Sequence, residues 1–471
     1  MKMINSYIDD ALGSMDAVGV AEAIAARRVS RAEVRAAAIA RCVRVDNDLN
    51  AIAIYEDGVR DFDTFASLPA GFFHGVPTFV KDMVQIAGFP TGQGTDAWVP
   101  KTADRDGAYV ERFRKLGVDI LGISRMSEFG FLPVAEHPRL GPVRNPWNTD
   151  LSAGGSSSGA AALVASGAVP FAHAVDGGGS IRIPASCTGL VGLKPSRGRL
   201  PLDTELRRIP IRIAYNGMLT RTVRDTAAFF REMEQLYRTP RLPPVGDITG
   251  PSQTRLKIAV ATKSPAGTAV PEVHDETLRV AALLESLGHR VEKIDTAPVP
   301  KSLVTDFVTY WELAAWSTLR QGTSRFGPSF NRTLLDNFTL GLAERGSKKL
   351  AKVPGTLARL SLAAHASKRF YANFDVLLTP TLAAPPPLIG ELSPTTTDFD
   401  SLFAKVIAWN SFAPLQNVSG DPSMSLPTGR SLSGSPIGIS ISAGRGHEAR
   451  LLHLAFELER TQDWNQIAAR I

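Results

Sequence analysis

Residues 152–198 constrain the fold of this 471-residue chain more than any other stretch. Two clusters of serine and glycine, residues 154–159 and 176–180, enclose the small apolar run 160–169, which predicts a tightly packed helix. The apolar residues 171–175 then predict a short buried strand, so the second cluster forms the turn at its carboxyl end. Ligands in α/β sheets bind at such strand ends, and we therefore expect the functional site here.

Three consecutive glycines, Gly177, Gly178 and Gly179, precede Ser180. Because glycine has no Cβ atom, successive backbone N–H groups can point into one concavity and bind an anion or a developing oxyanion. The N–H groups of residues 177–180 are therefore a candidate oxyanion hole. Ser180, placed directly after the glycines, is a candidate nucleophile.

Two other interpretations of this segment are open. A flexible Gly/Ser linker is one, but these glycines alternate with apolar residues rather than with the polar residues typical of linkers. Residues 155–159 also satisfy G-x-S-x-G, which would make Ser157 the nucleophile of an α/β-hydrolase. That motif follows a buried strand, whereas the turn-rich residues 145–150 predict no strand.

The order of motifs resembles the amidase signature family, which typically shows a GGSSGG-like cluster, an alanine-rich helix, D-x-G-G-S-I-R-x-P-A and G-x-x-G-x-K-P. This chain has GGSSSG, then the alanine-rich run, DGGGSIRIPA and GLVGLKP. The resemblance implies amide hydrolysis by a Ser–Ser–Lys triad, with Ser180 as nucleophile and Ser156 as bridging serine after a cis peptide bond. The segment HGVPTFVKD, residues 74–82, is similar to the family's lysine segment and makes Lys81 the third member.

Departures from the family pattern concern the substrate more than the chemistry. Gly177 stands where the family usually has threonine or another side chain, and Ser158 replaces a usual glycine. The combined motifs look most like the branch that holds 6-aminohexanoate cyclic dimer hydrolases and related bacterial amidases. Residues 126–131 resemble a family segment near the substrate pocket, so Gly130 and Phe131 are candidate substrate-binding residues. Phe131 also fits an ordinary core aromatic.

Composition excludes several other classes of protein. With 44% hydrophobic and 21% charged residues the chain is globular, and its net charge of +6 is spread out, which does not favour nucleic acid. Cys42 and Cys187 form no C-x-x-C pair, no H-E-x-x-H occurs, and the histidines lack ligand spacing, so we expect no metal and no cofactor. No signal-peptide core and no membrane-spanning run is present, which predicts a cytoplasmic protein without a membrane partner.

Strands and helices alternate along the chain, which predicts an α/β fold. Within it, Ser30 is a candidate helix N-cap with Glu33 three residues later. The resemblance spans nearly the whole chain and implies one domain, residues 1–471, with a large twisted mixed β-sheet flanked by helices on both faces. It includes an N-terminal helical part, about residues 1–70, and a variable helical region, about residues 298–370, that shapes the pocket.

The resemblance implies hydrolysis of a small amide, apolar or cyclic or linear, through an acyl-enzyme. Lys81 can act as a base only when neutral, so burial must lower its pKa from about 10.4. The alternative enzyme is the amidase subunit of a glutamine-dependent tRNA amidotransferase. A non-enzymatic scaffold is a third possibility, but the presence of all three triad residues argues against it. The oligomeric state stays open, with a homodimer as one candidate.

Overall fold

A computed structural model describes residues 2–55, 70–203, 209–298, 300–462, 464 and 467. Within these residues the strands of the protein are, in chain order, β1 Ile52–Tyr55, β2 Pro77–Lys81, β3 Asp119–Ser124, β4 Glu136–His137, β5 Gly141–Pro142, β6 Arg144–Asn145, β7 Asn148–Ser152, β8 Phe171–Asp176, β9 Val191–Lys194, β10 Tyr215–Thr220, β11 Lys257–Val260, β12 Lys263–Ser264, β13 Gly267–Thr268, β14 Arg290–Lys293, β15 Val376–Pro380, β16 Ser423–Arg430 and β17 Pro436–Ser442.

The α-helices of the same residues are α1 Ala17–Ala25, α2 Arg31–Leu49, α3 Ala108–Lys115, α4 Ser158–Ala165, α5 Arg182–Thr188, α6 Val223–Leu236, α7 Pro271–Ser286, α8 Lys301–Arg320, α9 Gly322–Phe326, α10 Asn337–Ser347, α11 Val353–Phe370, α12 Phe399–Trp409, α13 Pro414–Ser419 and α14 Glu448–Thr461. Short 3₁₀ turns occur at Glu128–Gly130, Arg332–Leu334 and Leu350–Lys352. Across the described ranges, no helix is long and apolar enough to cross a membrane.

The largest sheet has eight strands in the order β14, β11, β15, β17, β16, β9, β10, β8. β14, β11 and β15 run parallel, and every following pair is antiparallel. Every residue of β8, β10, β15 and β17 is buried, so both faces of the sheet are covered. The predicted α/β fold with a large mixed sheet is therefore confirmed.

Alternate residues of β17 contact helices on opposite faces of this sheet. Gly438 faces α5, because its N–H donates to Ser186 Oγ at 3.0 Å and an added Cβ would lie 2.7 Å from Ser186. Ile439 and Ile441 point the other way, and α7 also packs against β17 while α14 packs against the neighbouring β16. Helices thus flank both faces, as predicted.

A second sheet brings Lys81 to the end of the large one. β3 lies between β1, which is antiparallel to it, and β2, which is parallel. β2 runs beside β8, since Thr78 Oγ1 donates to the Phe171 carbonyl at 3.2 Å and the Lys81 N–H donates to His173 Nδ1 at 3.3 Å. Lys81, the last residue of β2, therefore lies beside the carboxyl end of β8.

The N-terminal helices begin as their sequence predicts. The Ser30 hydroxyl accepts from the Glu33 N–H at 3.2 Å, and the Glu33 carboxylate accepts from the Ser30 N–H at 2.7 Å, which completes a capping box at the start of α2. Residues 56–69 of the predicted N-terminal helical part lie outside the described residues.

Two predictions around the signature segment need correction. The helix expected over residues 160–169 is α4, which begins at Ser158 and ends at Ala165 with every residue buried. The expectation that residues 145–150 form no strand is wrong, because β6 and β7 form a two-stranded ribbon. The turn between the two strands accounts for the turn-rich composition. The Asn145 side chain stabilises the ribbon by donating to the carbonyls of Ser152 and Cys187.

Residues 301–370 form a layer of helices over the site, and two glycines lie inside α10 rather than breaking it. An added Cβ would lie 2.2 Å from Phe399 at Gly341 and 2.2 Å from the Glu312 carbonyl at Gly346. Although glycine is a poor helix former, neither glycine ends α10. They allow α10 to approach α12 and α8 closely.

The large sheet and the helical layer bury their side chains in different hydrophobic clusters. The first contains buried residues of the large sheet, β2 and α4, such as Val80, Leu163 and Phe171. The second contains buried side chains of the helical layer and the loops beneath it, such as Leu319 and Phe338. The strands and the helix that carry the signature motifs thus belong to one cluster, and most of the covering helices to another.

We expect Gly346→Ala to destabilise the protein by about 1–3 kcal/mol, because the new methyl group meets backbone rather than a flexible side chain. Gly355→Ala in α11 is the matched control, since its Cβ would meet only the Arg359 guanidinium at 3.1 Å. The control should be neutral or gain roughly 0.5–1 kcal/mol from reduced chain entropy. Urea midpoints of both variants check this, and an unchanged midpoint for Gly346→Ala would contradict the close helix approach.

Candidate active site

The candidate site lies where β2 and β8 end beside the loop that leads into α4. β2 ends at Lys81 and β8 ends at Asp176, which begins the Gly177–Gly179 turn. The loop before α4 carries Ser156, and the peptide bond between Gly155 and Ser156 is cis, as the resemblance implies. The structure thus brings together the predicted residues Lys81 and Ser156, which are 75 positions apart in the chain.

The Lys81 ammonium group is surrounded by three oxygen atoms. Its Nζ atom lies 2.7 Å from Ser156 Oγ, 2.9 Å from Ser157 Oγ and 3.2 Å from the Val175 carbonyl. A neutral amine can donate its two hydrogens to the Ser157 oxygen and the Val175 carbonyl, which leaves its lone pair for the Ser156 hydroxyl proton. The geometry therefore accommodates Lys81 as a proton acceptor from Ser156.

Burial lowers the pKa of Lys81 and so favours its neutral form, which this role requires. Its side chain is 1% exposed, and desolvation lowers its pKa to about 7, although the carboxylates of Asp176 and Asp82 act in the opposite direction. A substantial fraction of Lys81 is therefore neutral near pH 7, whereas an exposed lysine would be almost fully protonated.

The Asp176 carboxylate holds the glycine turn in place. One oxygen accepts from the Gly179 N–H at 2.7 Å and from Asn417 at 2.8 Å, and the other accepts from the Ile181 N–H at 3.2 Å. Arg182 donates to both oxygens, at 3.0 and 3.1 Å. Burial opposes ionisation, but Arg182 and the other donors outweigh it and hold the pKa of Asp176 at about 2. Asp176 is thus ionised and fully paired.

The three glycines before Ser180 have different surroundings. Gly177 and Gly178 line a large cavity, whereas the Gly179 N–H is directed at Asp176. The Gly178 carbonyl accepts from Asn410 Nδ2 at 2.8 Å, so the peptide between Gly178 and Gly179 is held at both ends. Of the four N–H groups expected to face an oxyanion, that of Gly179 is engaged with a carboxylate.

Ser180 and Ser157 differ in their access to substrate. Ser180 is 8% exposed and lines the cavity, together with Lys81 and Ser156. Ser157 is fully buried, and its hydroxyl contacts Lys81 and the backbone of Val175. An enclosed hydroxyl cannot attack a bound molecule, so the geometry favours Ser180 over Ser157 as nucleophile.

The cavity has a volume of about 1700 Å³, larger than the roughly 300–1,000 Å³ of common ligand pockets. Its walls are largely aromatic and aliphatic, whereas charged residues such as Asp104, Arg105 and Glu111 line another part. The apolar wall includes Met83, Trp98, Phe129, Phe307, Trp311, Phe326 and Phe412. This lining suits an apolar small molecule.

Gly130 and Phe131, the predicted substrate-binding residues, both line this cavity. Gly130 has φ +72°, and an added Cβ would lie 2.9 Å from Met83 Cε and 3.2 Å from Ser156 Oγ. Any side chain at position 130 would therefore crowd the bridging serine. The Phe131 ring packs 5.8 Å from that of Phe129, so Phe131 contributes to the wall as well as to the core.

Among the described residues, no group of three or more His, Cys, Asp or Glu side chains could hold a metal ion. His173, the histidine nearest to Lys81 in the site, is fully buried, and its Nδ1 accepts from the Lys81 N–H. Burial lowers the pKa of His173 to about 3, against the opposing hydrogen bond to Asn216. It is neutral and outside the cavity lining.

Sequence reasoning missed three residues that support the site. Asn410 and Asn417 lie far along the chain, and no local pattern marks their contacts with the glycine turn. Asp82 follows Lys81 within the quoted motif, and its carboxylate accepts from the Gly92 and Gly94 N–H groups at 2.6 and 2.8 Å. The position of Asp82 directly after Lys81 in the HGVPTFVKD segment was the one sequence signal that could have identified it.

Comparisons with known proteins agree with this geometry. The family model described as Amidase matches residues 33–452. A Mycobacterium tuberculosis protein with the name "Putative amidase AmiC" is 52% identical over 470 residues, covering 100% of this chain and 99% of the relative. A 6-aminohexanoate-cyclic-dimer hydrolase of Pseudomonas sp. is 32% identical over 480 residues and covers 95% of each chain.

A solved structure described as 6-aminohexanoate cyclic dimer hydrolase has a TM-score of 0.85 and 29% identity, covering 98% of this chain and 100% of that chain. The predicted fold and the predicted resemblance to this branch are therefore confirmed. The residues matched by the family model, 33–452, extend over most of the chain. The chain belongs to the amidase family and is a hydrolase of carbon–nitrogen bonds other than peptide bonds.

Proposed function

We propose that this amidase cleaves a small apolar amide, cyclic or linear, into a carboxylate and an amine or ammonia through an acyl-enzyme. Ser180 is the nucleophile, Ser156 the bridging acid–base and Lys81 the base. One observation carries the proposal: Lys81 Nζ is buried 2.7 Å from Ser156 Oγ, with its pKa lowered to about 7, and both residues share a cavity wall with Ser180.

Acylation begins when Ser180 Oγ attacks the amide carbonyl carbon. The Ser180 proton moves to Ser156 Oγ while the Ser156 proton moves to Lys81 Nζ, so the nucleophile is activated without a free alkoxide. When the C–N bond breaks, the leaving nitrogen takes a proton back through Ser156 from Lys81. Water then attacks the acyl carbon and gives a proton through Ser156 to Lys81. When the bond between the acyl carbon and Ser180 Oγ breaks, that proton returns through Ser156 to Ser180, and the released acid ionises to the carboxylate.

Backbone N–H groups of the glycine turn bind the oxyanion in this proposal. Because Gly179 donates to Asp176, the donors are the N–H groups of Gly177, Gly178 and Ser180. The Asp176–Arg182 pair and Asn410 fix the turn before substrate arrives, which means little reorganisation is needed in the transition state.

The substrate class rests on the cavity and on the relatives. The aromatic and aliphatic wall favours an apolar acyl or amine group, and the volume of about 1700 Å³ admits more than a simple aliphatic amide. The name of one relative states that it acts on a cyclic dimer, which is consistent with a cyclic or linear amide here.

The amidase subunit of a tRNA amidotransferase is the alternative function, and it would pass ammonia to a second subunit. We propose instead that this chain acts on a free small-molecule amide, with Gly130 and Phe131 contacting the substrate and without nucleic acid, membrane, metal or cofactor. The cytoplasmic location, the homodimer and the single domain stay predictions.

Ser180→Ala should abolish amide hydrolysis by the purified chain, because no other cavity hydroxyl replaces the nucleophile. A fluorophosphonate should label Ser180 in the parent protein, as mapped by peptide mass spectrometry. Ser157→Ala is the matched control and should still be labelled at Ser180.

Labelling at Ser157 would contradict this assignment and favour the nucleophile-elbow interpretation. If the parent chain alone hydrolysed no amide in a panel but did so with an amidotransferase partner, the alternative function would be correct. A retained thermal midpoint in Ser180→Ala shows that lost activity is not lost folding.

The activity should depend on a basic group with a pKa of about 7, because only neutral Lys81 can accept a proton. We therefore expect kcat/KM to rise with pH and to level off above about pH 8. Asp176 and His173 have pKa values of about 2 and 3 and do not titrate in this range, whereas Asp82, with its pKa raised by burial to about 6, does.

Lys81→Arg should lower kcat by several orders of magnitude and remove this pH dependence, since arginine stays protonated at every working pH. Lys405→Arg, on the exposed side of α12, is the matched control and should resemble the parent. Substantial turnover by Lys81→Arg would mean that the lysine acts by its charge and not as a base.

Ser156→Ala should slow acylation by roughly 10²–10⁴-fold, because it interrupts the proton path between Ser180 and Lys81. A water molecule can occupy the space of the lost hydroxyl, so some activity should remain, in contrast to Ser180→Ala. Single-turnover release of p-nitroaniline measures the step. A parent-like rate would rule out Ser156 as the bridge.

A further inference from the structure

The three glycines of the nucleophile turn are glycine for different physical reasons. Gly179 has φ +127°, and an added Cβ would lie 2.7 Å from Ile183 and 2.9 Å from Ala413, so both backbone and packing require glycine. At Gly178 an added Cβ would lie 3.1 Å from the Phe307 ring. These two positions have no space for a side chain.

Gly177 differs from both neighbours. Its φ lies outside the left-handed region, and among the described residues no atom other than those of its chain neighbours lies within 4 Å of an added Cβ. Neither the backbone nor the packing of the folded protein therefore requires glycine at this position. The open space belongs to the cavity, because Gly177 is one of its lining residues.

The space at Gly177 has apolar walls. Asp176 pairs with Tyr215, so Ala214 continues opposite Gly177, and Ala214 and Ile213 both line the cavity. Phe307, which packs against Gly178, lines it too. A group that fills this space would contact aliphatic and aromatic carbon, which favours burial of an apolar substituent.

In the proposed mechanism this space falls on the acyl side of the amide. The leaving nitrogen must come within hydrogen-bond distance of Ser156, whose Oγ borders Gly130 at 3.2 Å and lies more than 4 Å from the Cβ position of residue 177. The Gly177 N–H is one of the proposed oxyanion donors, and a Cβ at this residue is two bonds from that nitrogen, so the space adjoins the scissile carbonyl rather than a remote part of the substrate.

We infer that Gly177 is a specificity-determining residue: its missing side chain admits a branched or aromatic apolar group bonded directly to the scissile carbonyl. The inference rests on the proposed function and adds the class of acyl group. An enzyme with a side chain here would have this volume filled and would favour small or unbranched acyl groups. One methylene in an apolar pocket typically changes kcat/KM by about 10–200-fold.

The test compares p-nitroanilides that share one leaving group and differ in the acyl group, acetyl against benzoyl. Gly177→Val should lower kcat/KM for the benzoyl substrate at least about tenfold relative to acetyl, and Gly177→Ala should fall between parent and valine. Gly355→Ala, a glycine replacement outside the cavity, should leave the ratio at the parent value. The ratio separates specificity from a general loss of activity.

Equal losses for both substrates would overturn the inference, since Gly177 would then serve the backbone of the turn. A larger loss for acetyl would overturn it too.

Sulfonyl fluorides give a second readout that does not need turnover or a folded variant. In the parent protein, phenylmethanesulfonyl fluoride should modify Ser180 at least as fast as methanesulfonyl fluoride, and a rate more than about tenfold slower would overturn the inference. If neither reagent modified Ser180 and neither amide were hydrolysed, the proposed function itself would fail. That outcome is distinct from labelling in which phenylmethanesulfonyl fluoride reacts more than about tenfold more slowly, which counts against Gly177 alone.

Discussion

The buried ion pair between Asp176 and Arg182 is the interaction on which the rest of the site depends. Both side chains are fully buried, and Arg182 also donates to the Ala413 carbonyl and to Asn417. The pair therefore joins the end of β8, the start of α5 and α13 around one turn of backbone. Loss of one partner of such a pair typically costs about 3–5 kcal/mol, because the other charge stays buried alone. Here the loss would also release the glycine turn that carries Ser180.

The same pair permits a lysine base to exist beside a carboxylate. Asp176 alone would hold Lys81 protonated, since an adjacent negative charge raises the pKa of a lysine. Arg182 balances that charge, and desolvation then prevails and brings the pKa of Lys81 to about 7. Burial of Lys81 follows in turn from the position of β2 beside β8. The acid–base chemistry is thus set by strand placement and by charge balance together.

Local patterns in the sequence predicted the α/β class, the buried strand at residues 171–175 and Ser180 as a nucleophile, and the family resemblance identified Lys81 and Ser156. They could not predict contacts that join distant parts of the chain. Asn410 and Asn417 reach the glycine turn from more than 230 positions away, and the engagement of the Gly179 N–H depends on how Asp176 is oriented. The ribbon of β6 and β7 was missed for a related reason. A turn-rich composition or a glycine predicts a break in regular structure when it is considered alone, but the same residues can lie within a strand or a helix when a second element packs against them.

The division of the hydrophobic residues into separate clusters has a consequence for how such a protein diversifies. Lys81 and the two serines lie on strands and loops anchored in the cluster of the large sheet, whereas most aromatic residues of the cavity wall come from the helices above it. Substitutions in residues 301–370 can alter the shape of the cavity while the anchoring of the proton path stays intact. The residues of the proton path and the residues that shape the cavity therefore lie in different parts of the core, and substitutions can accumulate in one set without disturbing the other.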